Sequence, residues 1–511
     1  MNKKYVYVIL LLTGVFAIMA YYFKGTTMKN RLIVGFPVHW GKLVPSLQHT
    51  AYADDILGNQ FEALVSSRTG GMTVAEAAKE WNISEDFKVY TFVIDNKKKF
   101  SNGKELTAED FKRSWEEGLK LPPESANSSL QDVMYRVVGY EEFSQTGTLK
   151  GVKVLDKYTI EVRFKEPFRM ALDYFVGSRL AAYIEEGGRY YGTGPFVITE
   201  QKERTLLLVK NPHYAFTKNA WDEILIKVIP TEKAESSLMN KEIDLYLFAE
   251  LAEIKSCMNK KSEIGCFSGG EGRNQVLVLN PLKGHIFENE KFRMALQSLI
   301  HSELNYEILP NYHKVNLTVD PQVYLPVQAG RLQDEVASKI ISEGAKYIDE
   351  FINASKANPI FLVTSESSNW VQEMLEKKGV EFQKKSGKVT IKDRVKMFYK
   401  TFEPDIMVGS FSVANGDPDG VYHVLGKDGS IASPLVYRED VTDLLEVGRK
   451  ILDLAKINEH YQQVARAVLK EVPFVHLGYV KTITAYRKDR VRPDHRFKER
   501  EEGLIVFEPN Q

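Results

Sequence analysis

Residues 77–115 read AAKEWNISEDFKVYTFVIDNKKKFSNGKELTAEDFKRSW and contain the clearest structural signals in the chain. Within them, Lys88 to Ile94 is rich in aromatic and β-branched residues and predicts a strand. A helix is predicted further on, because Thr107 and Asp110 have the three-residue spacing of an N-terminal capping box. One face of that helix is apolar and consists of Ala108, Phe111, Trp115 and Leu119. A strand followed by an amphipathic helix indicates a mixed α/β unit.

The same alternation of strands and helices extends on both sides of this stretch. Arg31 to Phe36 and Tyr158 to Phe164 predict strands, the second because apolar and polar residues alternate along it. Asn289 to Ile300 has helical periodicity, and longer helices are predicted at Val441 to Ala455 and at Asn458 to Leu469. The pattern predicts a mixed α/β protein with more than one lobe.

Length and charge narrow the possibilities further. The chain has 511 residues, which is too long for one hydrophobic core and predicts two or three domains. It has 68 basic and 68 acidic residues, so the formal charge is zero. This balance argues against nucleic acid as a partner.

The N-terminus has the features of an export or membrane signal. Lys3 and Lys4 precede an uncharged, mostly apolar run from Tyr5 to Phe23, and Lys24 follows it. The run is long enough to span a bilayer, and the small residues of a cleavage site are poorly matched. We therefore expect an exported protein whose residues 5–23 either are removed as a signal or stay as a membrane anchor.

The chain has two cysteines, Cys257 and Cys266, which could close a small disulfide loop outside the cytoplasm. Further His or Cys residues would be needed near them for a metal site, so we predict neither a metal nor another cofactor. Zinc-protease, nucleophile-elbow and phosphate-loop motifs are absent from the sequence, which argues against an enzyme. A hydrolase with a catalytic dyad assembled from distant residues remains a less favoured alternative.

Several short segments carry a resemblance when they are taken in order. Besides residues 77–115 they are NQFEALV (Asn59–Val65), GVKVLDKYTIEVRFKEPF (Gly151–Phe168), GTGPF (Gly192–Phe196), NPHY (Asn211–Tyr214), WDEILIKVIP (Trp221–Pro230), KEIDL (Lys241–Leu245), ENEKFRMAL (Glu288–Leu296), NGDPDG (Asn415–Gly420) and VPFVHL (Val472–Leu477). Together they resemble extracellular solute-binding proteins of family 5, the peptide- and nickel-binding class that serves ABC transporters. The resemblance extends over almost everything beyond the N-terminal segment.

The resemblance implies a type II periplasmic binding protein fold of cluster C, with two lobes, a hinge and an extra domain. The implied divisions are an N-terminal signal or anchor at 1–28, lobe I at 29–66, 190–275 and 479–511, the extra domain at 67–189, and lobe II at 276–478. Gly192 and Gly194 offer permissive backbone for a hinge, although a simple tight turn also explains them.

The function implied is capture of a peptide-like or other small solute by lobe closure and its delivery to the permease subunits of an ABC transporter. Ligand-binding candidates are His39, Trp40, Phe411, Asn415, Asp417 and Asp419. Peptide-binding members have an acidic residue just before the Asn-Gly-Asp-Pro-Asp run, which pairs with the ligand's amino group, and Ala414 occupies that position here. The two aspartates also suit an ordinary turn. A receptor tethered to the membrane that senses or holds peptides without transport is the main alternative function.

Overall fold

The structure is a computed structural model that describes residues 30–509, with gaps at 38, 48–50, 69–71, 122–127, 216–220, 250–254, 260, 305–316, 327, 365–368, 390–392, 394–395, 412–416, 428, 430–432 and 494–506. The predicted signal or anchor, together with Ala414 and Asn415, therefore lies outside the described residues. Within the described ranges, no helix is both long enough and apolar enough to cross a membrane.

The strands of the described residues are β1 (Arg31–Phe36), β2 (Val65–Arg68), β3 (Met72–Ala75), β4 (Ala78–Ile83), β5 (Val89–Ile94), β6 (Val152–Asp156), β7 (Thr159–Arg163), β8 (Ile184–Glu186), β9 (Arg189–Tyr191), β10 (Phe196–Gln201), β11 (Thr205–Lys210), β12 (Glu223–Val228), β13 (Leu245–Ala249), β14 (Ile264–Leu279), β15 (Leu317–Val319), β16 (Leu362–Thr364), β17 (Gly387–Lys388), β18 (Ile406–Phe411), β19 (Phe474–Arg487), β20 (Val491–Pro493) and β21 (Phe507–Pro509).

The α-helices of the same residues are α1 (Ala51–Leu57), α2 (Ala108–Leu119), α3 (Ser128–Met134), α4 (Phe143–Thr146), α5 (Ala171–Tyr174), α6 (Ala234–Met239), α7 (Glu290–Glu303), α8 (Asp334–Ser342), α9 (Ile348–Ala357), α10 (Asn369–Lys377), α11 (Tyr422–Leu425), α12 (Glu439–Gly448) and α13 (Leu454–Glu471). Short 3-10 turns lie at Pro45–Leu47, Ser178–Leu180, Thr231–Lys233, Lys255–Met258, Ile286–Glu288, Ala345–Tyr347 and Pro418–Val421, and a π-helical turn lies at Met397–Thr401.

One large sheet runs through the molecule in the order β10-β11-β12-β1-β13-β19-β14-β18-β16-β17, with β15 also paired to β19. Its two longest strands, β14 and β19, have 16 and 14 residues and pair with each other antiparallel. One end of β19 pairs with β13, and the far end of β14 pairs with β18. These two strands therefore connect a first half of the sheet (β10, β11, β12, β1 and β13) with a second half (β18, β16 and β17).

The second half is covered by apolar cores on both faces. Val276 and Val278 of β14 belong to one core, whereas the intervening Leu277 and Leu279 belong to the other. Successive side chains of a strand point to opposite faces, so a continuous apolar run is what a strand buried on both sides requires. Helices α12 and α13 contribute to the first of these cores, and α7 and α10 contribute to the second.

The first half is also buried on both faces. Leu32, Val34 and Phe36 of β1 enter one core, and Ile33 packs against a smaller core that includes Tyr246. At Gly35 any Cβ atom would lie only 2.6 Å from the Tyr246 ring, which explains a glycine within this strand.

A separate four-stranded sheet, β4-β5-β7-β6, forms a small-sheet domain with helix α2 and a core drawn from residues 64–182. Both elements predicted from residues 77–115 are present as β5 and α2. The capping box is confirmed, because the Thr107 N–H donates to the Asp110 carboxylate at 2.9 Å. Trp115 is buried in this core, and its indole N–H donates to the Leu180 carbonyl at 2.8 Å.

The predicted break between two helices is misplaced. The helix expected at Val441 to Ala455 ends at Gly448, and α13, expected to begin at Asn458, begins at Leu454. Asp453 caps the new helix, since its side chain accepts a hydrogen bond from the Ala455 N–H at 3.0 Å. Two carbonyl groups between the helices, those of Arg449 and Ile451, accept hydrogen bonds from the Arg169 side chain.

Cys257 and Cys266 form a disulfide, with Cα atoms 5.3 Å apart. It joins the 3-10 turn at Lys255–Met258 to the start of β14, and both cysteines pack against the smaller core of the first half. The disulfide therefore anchors the N-terminal end of β14, one of the two connecting strands.

Candidate ligand-binding cleft

Strand directions place two chain segments opposite each other. Strand β1 is parallel to β13, which is antiparallel to β19, so β1 runs towards the second half. Strand β18 is antiparallel to β14 and therefore runs towards the first half. The carboxyl ends of β1 and β18 consequently face each other across the connecting strands. In open α/β sheets ligands bind at the carboxyl ends of the strands, so this is the candidate ligand-binding cleft.

His39 and Trp40 follow the carboxyl end of β1. The exposed His39 ring stacks on Trp40 with 5.1 Å between ring centroids, and its Nδ1 accepts a hydrogen bond from the Gly41 N–H at 3.0 Å. Trp40 is buried in the core of the first half, and its Nε1 has no hydrogen-bond partner among the described residues. A buried indole N–H normally finds an acceptor, so this unpaired donor is an exception within an otherwise apolar core.

Phe411 is the last residue of β18. Its side chain is buried in a core of the second half, where its ring lies 5.5 Å from that of Phe474 and 6.2 Å from that of His423. This packing fixes the carboxyl end of β18. The structure places Phe411 in the core of the second half and Trp40 in the core of the first, at opposite ends of the cleft.

Asp417 follows that segment and is held by protein groups. Its carboxylate receives two hydrogen bonds from the Arg169 guanidinium, at 3.1 and 3.2 Å, and one from the Asp419 N–H at 2.9 Å. The Gln328 side chain also donates to its carbonyl at 3.3 Å. The sequence suggested either a ligand contact or a turn for Asp417, and the geometry shows a turn residue that is also ion-paired.

Asp419 lies deeper in the same cluster. Its carboxylate accepts a hydrogen bond from the Tyr461 hydroxyl at 2.9 Å and forms an ion pair with Arg449 at 3.3 Å. Burial raises the pKa of this carboxyl to about 7, because desolvation and the negative Asp417 together outweigh the favourable charge of Arg449. The Arg449 guanidinium in turn lies over the Tyr422 ring, 3.6 Å from its centroid. Asp419 is therefore enclosed by protein.

Gly192 and Gly194 lie away from the two connecting strands. The Gly194 N–H donates to the Gln60 carbonyl at 2.9 Å, and a Cβ atom at Gly192 would lie 2.1 Å from that same carbonyl oxygen. Close backbone approach therefore gives a reason for glycine at both positions. Their role as a hinge stays a prediction.

Sequence reasoning missed the residues that complete the charged cluster beside the cleft. Arg169 directly follows the quoted segment that ends at Phe168, and Arg449 occurs within what resembled an uninterrupted helix. Tyr461 and Gln328 lacked any local motif. The available signal was the position of Arg169 between the apolar residues Phe168 and Met170, because an arginine brought into a core in this way is rarely left unpaired.

Within the described ranges, no three His, Cys, Asp or Glu side chains come together as a potential metal site. The family model for bacterial extracellular solute-binding proteins, family 5 Middle, matches residues 73–433. This chain belongs to family 5. The match covers the small-sheet domain, the connecting strand β14 and much of the second half, so it agrees with the resemblance found in the sequence.

Two relatives are similar to this chain over most of their length. A probable D,D-dipeptide-binding periplasmic protein of Escherichia coli strain K12 is 23% identical over 485 residues, which covers 88% of each chain. The heme-binding protein A of Haemophilus influenzae is 22% identical over 460 residues, covering 82% of this chain and 81% of the relative.

Solved structures show the same fold. The murein tripeptide binding protein MppA of Escherichia coli has a TM-score of 0.76 at 16% identity and covers 95% of this chain and 99% of its own. The periplasmic binding protein DppA of Helicobacter pylori, in complex with the peptide STSA, has a TM-score of 0.73 at 18% identity and covers 94% and 98%. This family 5 protein therefore has the cluster C fold of type II periplasmic binding proteins.

Proposed function

We propose that this protein is an extracytoplasmic receptor that captures a peptide-like solute by closure of its two halves and delivers it to an ABC transporter. The observation that carries the proposal is the opposition of the carboxyl ends of β1 and β18 across the two strands β14 and β19. A solute between these ends contacts both halves, so binding and closure are one event. Family membership supports the same conclusion.

The proposal also specifies the class of ligand, which is a peptide-like solute. The relatives named above are described as binding a dipeptide, a murein tripeptide or, in one case, heme. Ala414 replaces the acidic residue that the resemblance assigns to the ligand's amino group. A buried ammonium without a partner is costly, so this receptor favours a solute whose amino end is blocked or stays in water.

The predicted division into two lobes and an extra domain is part of the same proposal. Separate apolar cores for the small-sheet domain and for the two halves of the large sheet support it. We propose in addition that residues 5–23 tether the receptor to the membrane after export. Fractionation of the native host tests this point: the tether predicts recovery with membranes, and recovery only in the soluble extracytoplasmic fraction contradicts it.

Peptide binding is tested by native mass spectrometry of the purified ectodomain mixed with libraries of free and amino-acetylated di- to tetrapeptides. We expect retention of intact peptides, with preference for the acetylated forms. Failure to retain any peptide would refute a peptide ligand. Steady conversion of peptides to shorter products would instead support the hydrolase alternative.

A further inference from the structure

Arg169 connects the small-sheet domain to the second half of the large sheet. Its neighbours Phe168 and Met170 are buried in the small-sheet core, so its backbone is part of that domain. Its side chain is only 3% exposed and makes a two-point contact with Asp417, with Nε and Nη2 donating to the two carboxylate oxygens at 3.1 and 3.2 Å. Bidentate contacts of this kind add geometric specificity to the attraction between an arginine and a carboxylate.

The same guanidinium reaches the end of helix α12. Its Nη1 donates to the carbonyls of Gly448 at 3.0 Å, Arg449 at 3.4 Å and Ile451 at 2.6 Å. Gly448 is the last residue of this helix and the other two follow it, at the end where carbonyls lack partners within the helix and the negative end of the helix dipole favours a cation. The hydrogen bonds found for this side chain within the described part of the chain all end on the second half.

We propose that Arg169, Asp417 and the carbonyls of Gly448, Arg449 and Ile451 form an arginine latch that holds the small-sheet domain against the second half and sets how far the unliganded receptor opens. The latch has two distinct states. Either all of its hydrogen bonds are made, or the arginine and the carboxylate separate into water. Intermediate positions leave a buried charge unpaired, which is strongly unfavourable.

The latch is coupled to the cleft through its position in the chain. Asp417 lies six positions after Phe411, the last residue of β18, and the carboxyl end of β18 faces the cleft. Asp419, two residues further along the chain, contacts both Arg449 and Tyr461. Its N–H also donates to Asp417, so the carboxylate and the carbonyl acceptors of the latch belong to one buried cluster on the second half. This coupling rests on the proposed function, because it assumes that a solute binds between the halves; the latch itself does not.

The latch is tested by the distance between spin labels at two exposed positions, Gln145→Cys in the small-sheet domain and Ser338→Cys in α8. The native cysteines are bonded to each other, so the introduced thiols take the label. In unliganded protein, Arg169→Met keeps most of the side-chain volume and removes the charge. We expect this variant to shift the label distances to longer values and to broaden their distribution.

Two further variants keep the test decisive. Asp417→Asn leaves the carbonyl contacts of Arg169 in place and should give a smaller shift in the same direction; it replaces Arg169→Met if that variant does not fold. Lys165→Met is the matched control, because Lys165 pairs with Glu141 within the small-sheet domain at 2.5 Å. Wild-type distances in both latch variants, or an equal shift in the control, would overturn the latch.

The coupling is read separately, from the affinity for a peptide that the wild type retains. Depopulating the binding-competent state lowers apparent affinity in proportion, and we expect Arg169→Met to weaken binding by roughly tenfold. Unchanged affinity despite longer label distances would refute the coupling and leave the latch supported. If no variant retains a peptide, the proposed function is refuted. The label distances still test the latch in that case, because they are measured without ligand.

Discussion

Replacing Asp419 with asparagine should change how the stability of the second half depends on pH. The carboxyl ionises near pH 4 in the unfolded chain, whereas burial raises its pKa to about 7 in the folded protein. Between these values the folded state binds a proton that the unfolded state does not. The contribution of this group is therefore fully present below pH 4 and is lost as pH rises towards and through 7.

The size of the effect follows from the pKa difference. A shift from 3.8 to about 7 corresponds to a change on the order of 4 kcal/mol in the free energy of unfolding across the window. Asp419→Asn cannot ionise and lacks this pH dependence. Relative to wild type, the variant should gain stability by up to that amount as pH rises from 4 to 8, in addition to any pH-independent effect of replacing the protonated carboxyl with an amide.

Urea unfolding followed by circular dichroism at a series of pH values between 4 and 8 measures this difference. A second variant, Tyr461→Phe, removes the hydroxyl that donates to the Asp419 carboxylate and stabilises its ionised form. In that variant the folded-state pKa of Asp419 should be higher, so the upper end of the pH window should move upward while its lower end stays near pH 4. A stability difference between wild type and Asp419→Asn that is independent of pH would refute the account of a carboxyl held in a costly buried position.

Three other perturbations have defined outcomes. Gly194→Ala would put a Cβ atom 2.6 Å from the Gln60 carbonyl carbon, so we expect a loss of about 2–4 kcal/mol in the free energy of unfolding. Reduction of the Cys257–Cys266 disulfide, with a sequence separation of 9, should cost about 2–3 kcal/mol, measured as a lower urea midpoint in dithiothreitol. Ala414→Asp should strengthen binding of free dipeptides by about tenfold or more, measured by calorimetry.

Each of these has a control or a contradicting result. Gly409→Ala is matched to Gly194→Ala, because a Cβ atom there would be 3.7 Å from its nearest neighbour, and an equal loss in both would remove the steric explanation. A Cys257→Ser and Cys266→Ser double variant should be insensitive to dithiothreitol and already as unstable as the reduced wild type. Unchanged dipeptide affinity in Ala414→Asp would show that the position assigned from the resemblance is wrong.

The fold was predictable where local signals and global structure agree. The capping box at Thr107 and the alternation in Tyr158 to Phe164 each identified an element that the structure contains. The interruption between α12 and α13 was predicted after Ala455 instead of after Gly448, because the apolar periodicity continues past Gly448 and only the cap at Asp453 reveals the second helix start. Periodicity indicates which face of a helix is buried, but it does not locate a short interruption between two helices that share a core.

The site was less predictable because its contacts join distant positions. Arg169 and Asp417 are 248 residues apart, and no local sequence motif indicates that they form a pair. The aspartates were recognised as turn residues, but their ion pairs depend on how the small-sheet domain meets the second half. Charged groups that pair across domain boundaries need the tertiary arrangement before their partners can be identified.

Small-angle X-ray scattering of the ectodomain, with and without a peptide that native mass spectrometry shows to be retained, tests most directly whether a solute is captured by closure of the two halves. We predict that saturating peptide reduces the radius of gyration and the maximum dimension, because both halves move onto a ligand between β1 and β18. Tight binding with superimposable scattering curves would contradict capture by closure.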